Sequence, residues 1–240
     1  MPNYVENRIR ICGEDAEEIL HSLLNKEQFD FNLIEPMPKE IENTEEGSST
    51  YPCIMAYLSD GFKIPFEQIE KEKIEKYIVS QNTFSNPQRD YETGKRLKCS
   101  VKTGEQLVKN IDKYGYATWY GWSCEYWGTK WNASETTTNF DKPGEAYVEF
   151  TTAWASPEPV IEALSRQYPD ILIKVQFFDE NESHCGEYHY QNGLSVYEDI
   201  PKDYNAGIEF YCKHYLGGTP EENRYIIDED GEWVPEDDEY

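Results

Sequence analysis

Basic residues are scarce in this sequence: 22 Lys and Arg stand against 47 Asp and Glu, a formal charge of −25 over 240 residues. A field of that sign repels DNA, RNA and anionic membranes at long range and attracts basic protein surfaces. Long apolar runs are missing as well. No stretch approaches the roughly 20 apolar residues that cross a bilayer, and the opening MPNYVENRIRICGEDAEE lacks the apolar core of a signal peptide, so a cytoplasmic protein with no membrane partner is expected. Closely paired cysteines are missing too. Cys12, Cys53, Cys99, Cys124, Cys185 and Cys212 are scattered with no CxxC pair, which reads as reduced thiols.

The motifs that would announce an enzyme are also absent. There is no Gly-x-Ser-x-Gly, no Gly-x-Gly-x-x-Gly, no His-Glu-x-x-His, and Gly94-Lys95 lacks the earlier glycine of a phosphate loop. With 47 carboxylates, Asp and Glu fall close together by chance, so their spacing does not point to acid/base catalysis. No catalytic residue and no cofactor is assigned.

What the chain has is aromatic residues: 19 Tyr, 10 Phe and 6 Trp, far more than a disordered polymer of this charge carries, so a packed core rich in rings is expected. Residues 4–12 alternate Val5, Ile9 and Ile11 against Arg8 and Arg10, as a half-buried strand does. Asp15 then caps a helix whose stripe is Ala16, Ile19, Leu20, Leu23 and Leu24, and a second strand is predicted from Phe29 to Ile34. The pattern returns late. Residues 147–154 alternate as a strand, Ser156-Pro157 starts a helix striped by Val160, Ile161, Leu164 and Tyr168, and Ile171, Ile173, Val175 and Phe177 line one face of a further strand. Two β-α-β units of this kind predict an α+β fold, ferredoxin-like, with helices on one sheet face.

Between the two units the pattern changes. Residues 39–53 read as a polar surface loop, Pro65 opens a helix carrying Ile69, Ile74, Tyr77 and Ile78, residues 82–103 look irregular, and Leu107, Val108, Ile111 and Tyr114 mark a short helix stopped by Gly115. The expected organisation is a single elaborated domain over residues 1–225 with an aromatic-rich helical insertion at about 39–146. Asn192-Gly193 is the turn of a hairpin, and Ile208 and Phe210 alternate as a strand would. Residues 226–240 read as a solvated acidic tail, and its eight carboxylates, Asp228, Glu229, Asp230, Glu232, Glu236, Asp237, Asp238 and Glu239, are the candidate binding residues.

YGYATWYGWSCEYWGTKWN, residues 114–132, is the densest aromatic segment. Trp119, Trp122 and Tyr126 lie at helical spacing with Gly128 at the helix end, and Trp119, Trp122, Trp127 and Trp131 are expected in the core, because each ring buries a large area. The alternative is a stacking platform for bases or sugars, which Lys130, the one base in the stretch, supports poorly. Cys185, His189, Cys212 and His214 can be drawn as a metal set. Four residues along a strand span roughly 13 Å, so a shared ion for Cys185 and His189 would need a break at Gly186, and no metal site is assigned.

The opening MPNYVENRI, the segment FNLIEPMPKEI, the aromatic run and VEFTTAWASPEPVIEALSRQYPDI together resemble the YubB-like family of phage and plasmid proteins with a ferredoxin-like domain. The resemblance spans most of residues 1 to about 180 and implies that fold and a mobile-element origin, hence a bacterial host cell; it supplies no catalytic residues. Two functions are then expected. The first is an acidic interaction protein that occupies the nucleic-acid-binding surface of a basic host protein, such as a CRISPR-Cas or restriction nuclease, without binding nucleic acid itself. The second is a small enzyme acting on a nucleotide or sugar in an aromatic-lined pocket.

Overall fold

Val5, Ile9 and Ile11 are fully buried while Glu6, Arg8 and Arg10 lie on the other side of strand β1 (Tyr4–Cys12), as the alternation predicts. The structure is a computed structural model that describes residues 3–82 and 84–236. Its chain falls into two compact units, one comprising residues up to Pro36 with those from Tyr126 onward, the other Met37–Glu125.

In the first unit β1 is central to a six-stranded antiparallel sheet with β2 (Ser134–Asn139), β3 (Glu145–Ala153), β4 (Leu172–Asp179), β5 (Cys185–Gln191) and β6 (Leu194–Asp199), in the order β2-β3-β1-β4-β5-β6. The helix Glu158–Gln167 joins the two strands that flank β1, which is the ferredoxin-like split β-α-β. Its buried stripe of Val160, Ile161 and Leu164, with Ala16, Ile19 and Leu20 of the helix Ala16–Ser22, covers the Ile9–Val148–Val175 side of the sheet. Ser156 does not cap the later helix as predicted. Its hydroxyl bonds the Tyr188 hydroxyl at 2.8 Å, and Pro157 precedes the first helical residue.

Three expectations for this unit need correction. Residues 29–34 are not a sheet strand. Gln28–Phe29 close a two-residue ladder with Leu24–Asn25, and a 3-10 turn follows at Phe31–Leu33. The cause is local: the Asp30 carboxylate accepts the Asn32 amide at 2.9 Å and the Asn132 side chain at 2.7 Å, drawing the backbone out of an extended course. The strand position expected there is taken by Ser134–Asn139. Second, residues 204–211 form a helix, not a strand, started by Asp203, whose carboxylate accepts the Ala206 amide at 2.9 Å. This helix packs on the sheet face opposite the other two. Phe178 and Cys185 face each other across the β4–β5 ladder, with Phe210 at 6.2 Å from Phe178 and the Cys185 thiol donating to the Gly207 carbonyl at 3.3 Å. Gly207 permits that approach, since a Cβ there would lie 2.1 Å from the Ser183 carbonyl oxygen.

Third, the acidic C-terminal segment is docked as far as it is described. Tyr225–Ile227 pairs with Trp233–Pro235, and Trp233, only 9% exposed, packs with Ile208, Cys212 and Tyr225.

The second unit is helical. The helix Thr50–Leu58 buries Pro52 through Ala56, against the expectation of a polar loop, and packs on the helices Pro87–Leu97 and Val101–Tyr114. Gly94 and Gly104 are the contact points, because a Cβ at Gly104 would lie 1.9 Å from the Cys53 carbonyl oxygen. Residues 82–103, irregular by sequence, contain the Pro87–Leu97 helix. Asn86 caps that helix by accepting the Arg89 amide at 3.0 Å, with Pro87 in the first turn. The region after Pro65 is broken into a 3-10 turn at Phe66–Gln68 and helical turns at Lys71–Ile74 and Glu75–Val79, and Gly115 ends the helix before it with φ 83°.

Candidate functional site

Glu6 leaves β1 on the side of the sheet that the Tyr204–Tyr211 helix covers only in part. Beside it in the ladders stand Thr151 and Phe178. Around them lies a cavity of about 550 Å³, whose carboxylates are Glu6, Glu135, Asp179, Glu180 and Glu182 and whose rings are Tyr4, Phe178, Tyr211 and Tyr215. Tyr211 and Tyr215 come from the helix and the wider π-helical turn Cys212–Leu216 that continues it, which stacks the two rings at 4.8 Å and 15°. Glu135 comes from β2, where the register shifts between Ser134 and Thr137 and Glu135 takes a left-handed φ of 54°.

One guanidinium is already bound in this cluster. Arg8 lies 4.6 Å from the Tyr215 ring and 5.1 Å from the Phe178 ring, and pairs with Glu6 at 2.7 Å and Glu149 at 3.6 Å. The Tyr215 hydroxyl donates to the second oxygen of Glu6 at 2.9 Å. Asp179, buried, accepts the Asn181 amide at 2.8 Å and faces His184 at 3.5 Å; Glu182 accepts the Tyr225 hydroxyl; Glu135 accepts the Thr151 hydroxyl at 3.2 Å. Among the described residues no Lys or Arg pairs with Glu135, Asp179, Glu180 or Glu182 at the ion-pair distance. Burial, with Glu182 next, pushes the Tyr211 phenol up to about 12, and burial followed by the bond to Glu6 raises that of Tyr215. Both phenols therefore stay protonated at neutral pH, and that of Tyr215 donates to Glu6. The arrangement offers a cation the same set that holds Arg8: ring faces and carboxylate oxygens.

The residues singled out from sequence lie elsewhere. Asp228, Glu229, Asp230, Glu232 and Glu236 belong to the C-terminal hairpin, where the Asp228 carboxylate accepts the amides of Asp230 at 3.0 Å and Glu232 at 2.9 Å. Asp237, Asp238 and Glu239 lie outside the described residues. Of the tryptophans, Trp122 and Trp127 are buried, Trp119 is half-buried and Trp131 is 41% exposed, so the core expectation fails for Trp131. Trp127 packs on Phe31 and donates its indole N–H to the Glu35 carbonyl at 2.9 Å. Trp131 lies past Gly128 and the helix end, where Lys130 lies 4.5 Å from its ring and 4.7 Å from that of Trp154. The four metal candidates each have a separate partner: the Gly207 carbonyl for Cys185, Glu187 and the Tyr197 ring for His189, the Phe210 ring for His214, and the apolar cluster around Trp233 for Cys212. No cluster of three or more His, Cys, Asp or Glu among the described residues is placed to hold a metal ion.

Strands β2 to β6, and the pocket residues other than Tyr4 and Glu6, lie between residues 126 and 215. Residues 126–215 match the family model described as the ferredoxin-like domain in Api92-like protein. This segment is similar to that domain. The crystal structure of a protein Api92 from Yersinia pseudotuberculosis is also similar, with a TM-score of 0.42 and 11% identity over 83% of this chain and 98% of that one. No curated protein matches the sequence. No helix among the described residues is long and apolar enough to cross a membrane.

Proposed function

We propose that this chain is an acidic interaction protein that binds a basic, nucleic-acid-handling partner, with a Lys or Arg side chain of that partner entering the Tyr211–Tyr215 pocket. The carrying observation is the lining itself: five carboxylates and four rings around about 550 Å³, with Arg8 held in the same chemistry. The formal charge of −25 speeds encounter with a basic surface, while fixed carboxylates beside rings give a contact that a solvated surface alone does not. The resemblance to phage and plasmid proteins suggests the concrete form, in which the partner is a bacterial defence nuclease of the CRISPR-Cas or restriction type and its nucleic-acid-binding surface is what is covered. The enzyme reading has less support. The pocket lined by Tyr51, Tyr116 and Tyr120 in the helical unit measures about 260 Å³, below the roughly 300–1,000 Å³ typical of small-molecule sites, and the Tyr211–Tyr215 cavity, although within that range, is lined by carboxylates that repel a nucleotide's phosphates.

The test uses a partner captured from a bacterial lysate, with association measured at low and high salt for the parent and for Glu135→Lys/Glu180→Lys. Both carboxylates are exposed, so the double variant should fold. It should bind roughly ten-fold more weakly or worse, and the parent should lose affinity as salt shortens the ~8 Å screening length. Equal, salt-independent binding by both proteins refutes the reading.

A further inference from the structure

The two edges of the six-stranded sheet are built differently. At one edge β2 is polar throughout (SETTTN), carries the bulge at Glu135, and is bonded from outside by the Phe29 amide, which donates to the Thr136 hydroxyl at 3.0 Å. Those are ordinary means of blunting an edge. At the other, β6 is paired only with β5, and every residue from Leu194 to Asp199 is exposed. Leu194, Val196 and Tyr197 are 65%, 53% and 46% exposed, and the strand contains no Lys, Pro or Gly. Its register shift falls at Val196, the extra residue between the Ser195–Tyr190 and Tyr197–His189 pairs, leaving Tyr197, Glu198 and Asp199 in regular register.

The charge of this edge is as uneven as its polarity. Glu187 and Asp199 stand directly opposite each other in the β5–β6 ladder, a like-charged pair in which Glu187 accepts the Gln176 side chain at 2.7 Å and meets His189 at 2.5 Å, while Glu198, opposite Tyr188, lies on the other face. A cation brought alongside relieves that repulsion.

We infer that β6 is a strand-addition site for an extended segment of alternating Lys or Arg and aliphatic residues from the partner protein. Main-chain hydrogen bonds to the open edge hold such a segment; its bases lie on the face that Asp199 shares with Glu187, their stems along Leu194 and Tyr197, and its aliphatic residues lie on the other face, beside the bulge at Val196. A second copy of this chain would bring a further −25 to the same edge. The inference rests on the reading that the partner is basic, and it concerns an edge that shares no residue with the tyrosine pocket.

The probe is an end-capped eight-residue peptide of alternating Lys and Val, with a Glu–Val peptide as its counterpart. Amide hydrogen exchange of the full chain should show the Lys–Val peptide protecting residues 194–199, with the Glu–Val peptide giving no protection. Leu194→Lys/Val196→Lys, two changes at exposed positions, should weaken Lys–Val binding roughly ten-fold. Glu135→Lys/Glu180→Lys should bind the peptide at β6 as the parent does, so a failure of the pocket reading is separable from a failure here. The inference is overturned if the peptide leaves exchange at 194–199 unchanged, if the Glu–Val peptide protects those amides equally, or if the edge variant binds like the parent. It is also overturned if sedimentation finds a parent dimer that the edge variant lacks, which would assign the edge to a second copy. Should the edge variant misfold, the exchange pattern of the parent alone decides.

Discussion

Replacing Trp233 by Ala tests whether the acidic C-terminal segment is a docked element or a solvated tail. Trp233 is 9% exposed and packs on Ile208, Cys212 and Tyr225; its amide donates to the Asn205 side chain at 3.0 Å and its indole N–H to Glu209 at 3.4 Å. A buried indole removes about 150–250 Å² from water, and Trp→Ala changes in cores cost about 3–5 kcal/mol. The lower end applies here, about 3 kcal/mol, because a two-stranded hairpin can settle into the gap. A loss of that size lowers the docked population roughly a hundred-fold, so the hairpin should open before the sheet does. Amide exchange at Tyr225–Ile227 and Trp233–Pro235 should accelerate strongly in the variant, and the urea midpoint should fall. Truncation after Ile227 should reproduce the Trp233→Ala effect. Unchanged exchange and an unchanged midpoint in Trp233→Ala would refute the docking argument and restore a free tail.

In the helical unit, Gly104→Ala would place a Cβ 1.9 Å from the Cys53 carbonyl oxygen and 2.9 Å from the Tyr57 side chain. The helices must separate, at about 1–3 kcal/mol, and a urea titration that matches the parent would contradict the packing. Alkaline titration gives a pH test. Burial pushes Tyr51 and Tyr211 up to about 12 from 10.0, and raises Tyr147 and Tyr225 as well. A raised phenol favours the folded state below its unfolded value, and that contribution is lost as pH climbs from 10 toward 12. Absorbance at 295 nm should therefore show a group of the 19 tyrosines still un-ionised at pH 11, released together as the protein unfolds; a single transition near 10 in folded protein would be inconsistent with their burial.

The parts of the fold that were legible in sequence are those where one period of hydrophobicity ran undisturbed. β1, β4 and the Glu158–Gln167 helix carry their pattern in apolar residues, and the Asn192-Gly193 hairpin announces itself by its turn dipeptide. Where polar side chains control the backbone, the pattern misleads: Asp30 turns Phe29–Ile34 out of the sheet, and the carboxylate of Asp203 starts a helix that Ile208 and Phe210 mimic as a strand. The Pro87–Leu97 helix was invisible because its buried residues are Asp90, Tyr91 and Gly94, not an aliphatic stripe, although Asn86-Pro87 marks its start. Trp131 shows the limit of composition. Trp127 four residues earlier is core, but beyond Gly128 nothing in the residue type distinguishes a buried indole from one that stacks on Lys130.

The pocket was illegible for a different reason. With 22 bases for 47 carboxylates, 25 carboxylates lack a base even if every pairing were made, so an unpaired Glu in this sequence carries no information by itself. Information enters through placement. Glu6, Phe178 and Thr151 become neighbours only through the antiparallel registers of β3 and β4 on β1, and Tyr211 and Tyr215 reach them only because Gly207 lets the helix approach Ser183 closely. The tail has the higher density of acid, yet Asp228 turns its Oδ1 to the hairpin's own amides. A dense acidic run raises the rate of encounter with any basic surface, whereas carboxylates fixed beside rings select a shape. Specificity in this chain is therefore to be sought where the backbone approaches are closest, at the Gly207 crossing, and not where the acidic residues are most frequent.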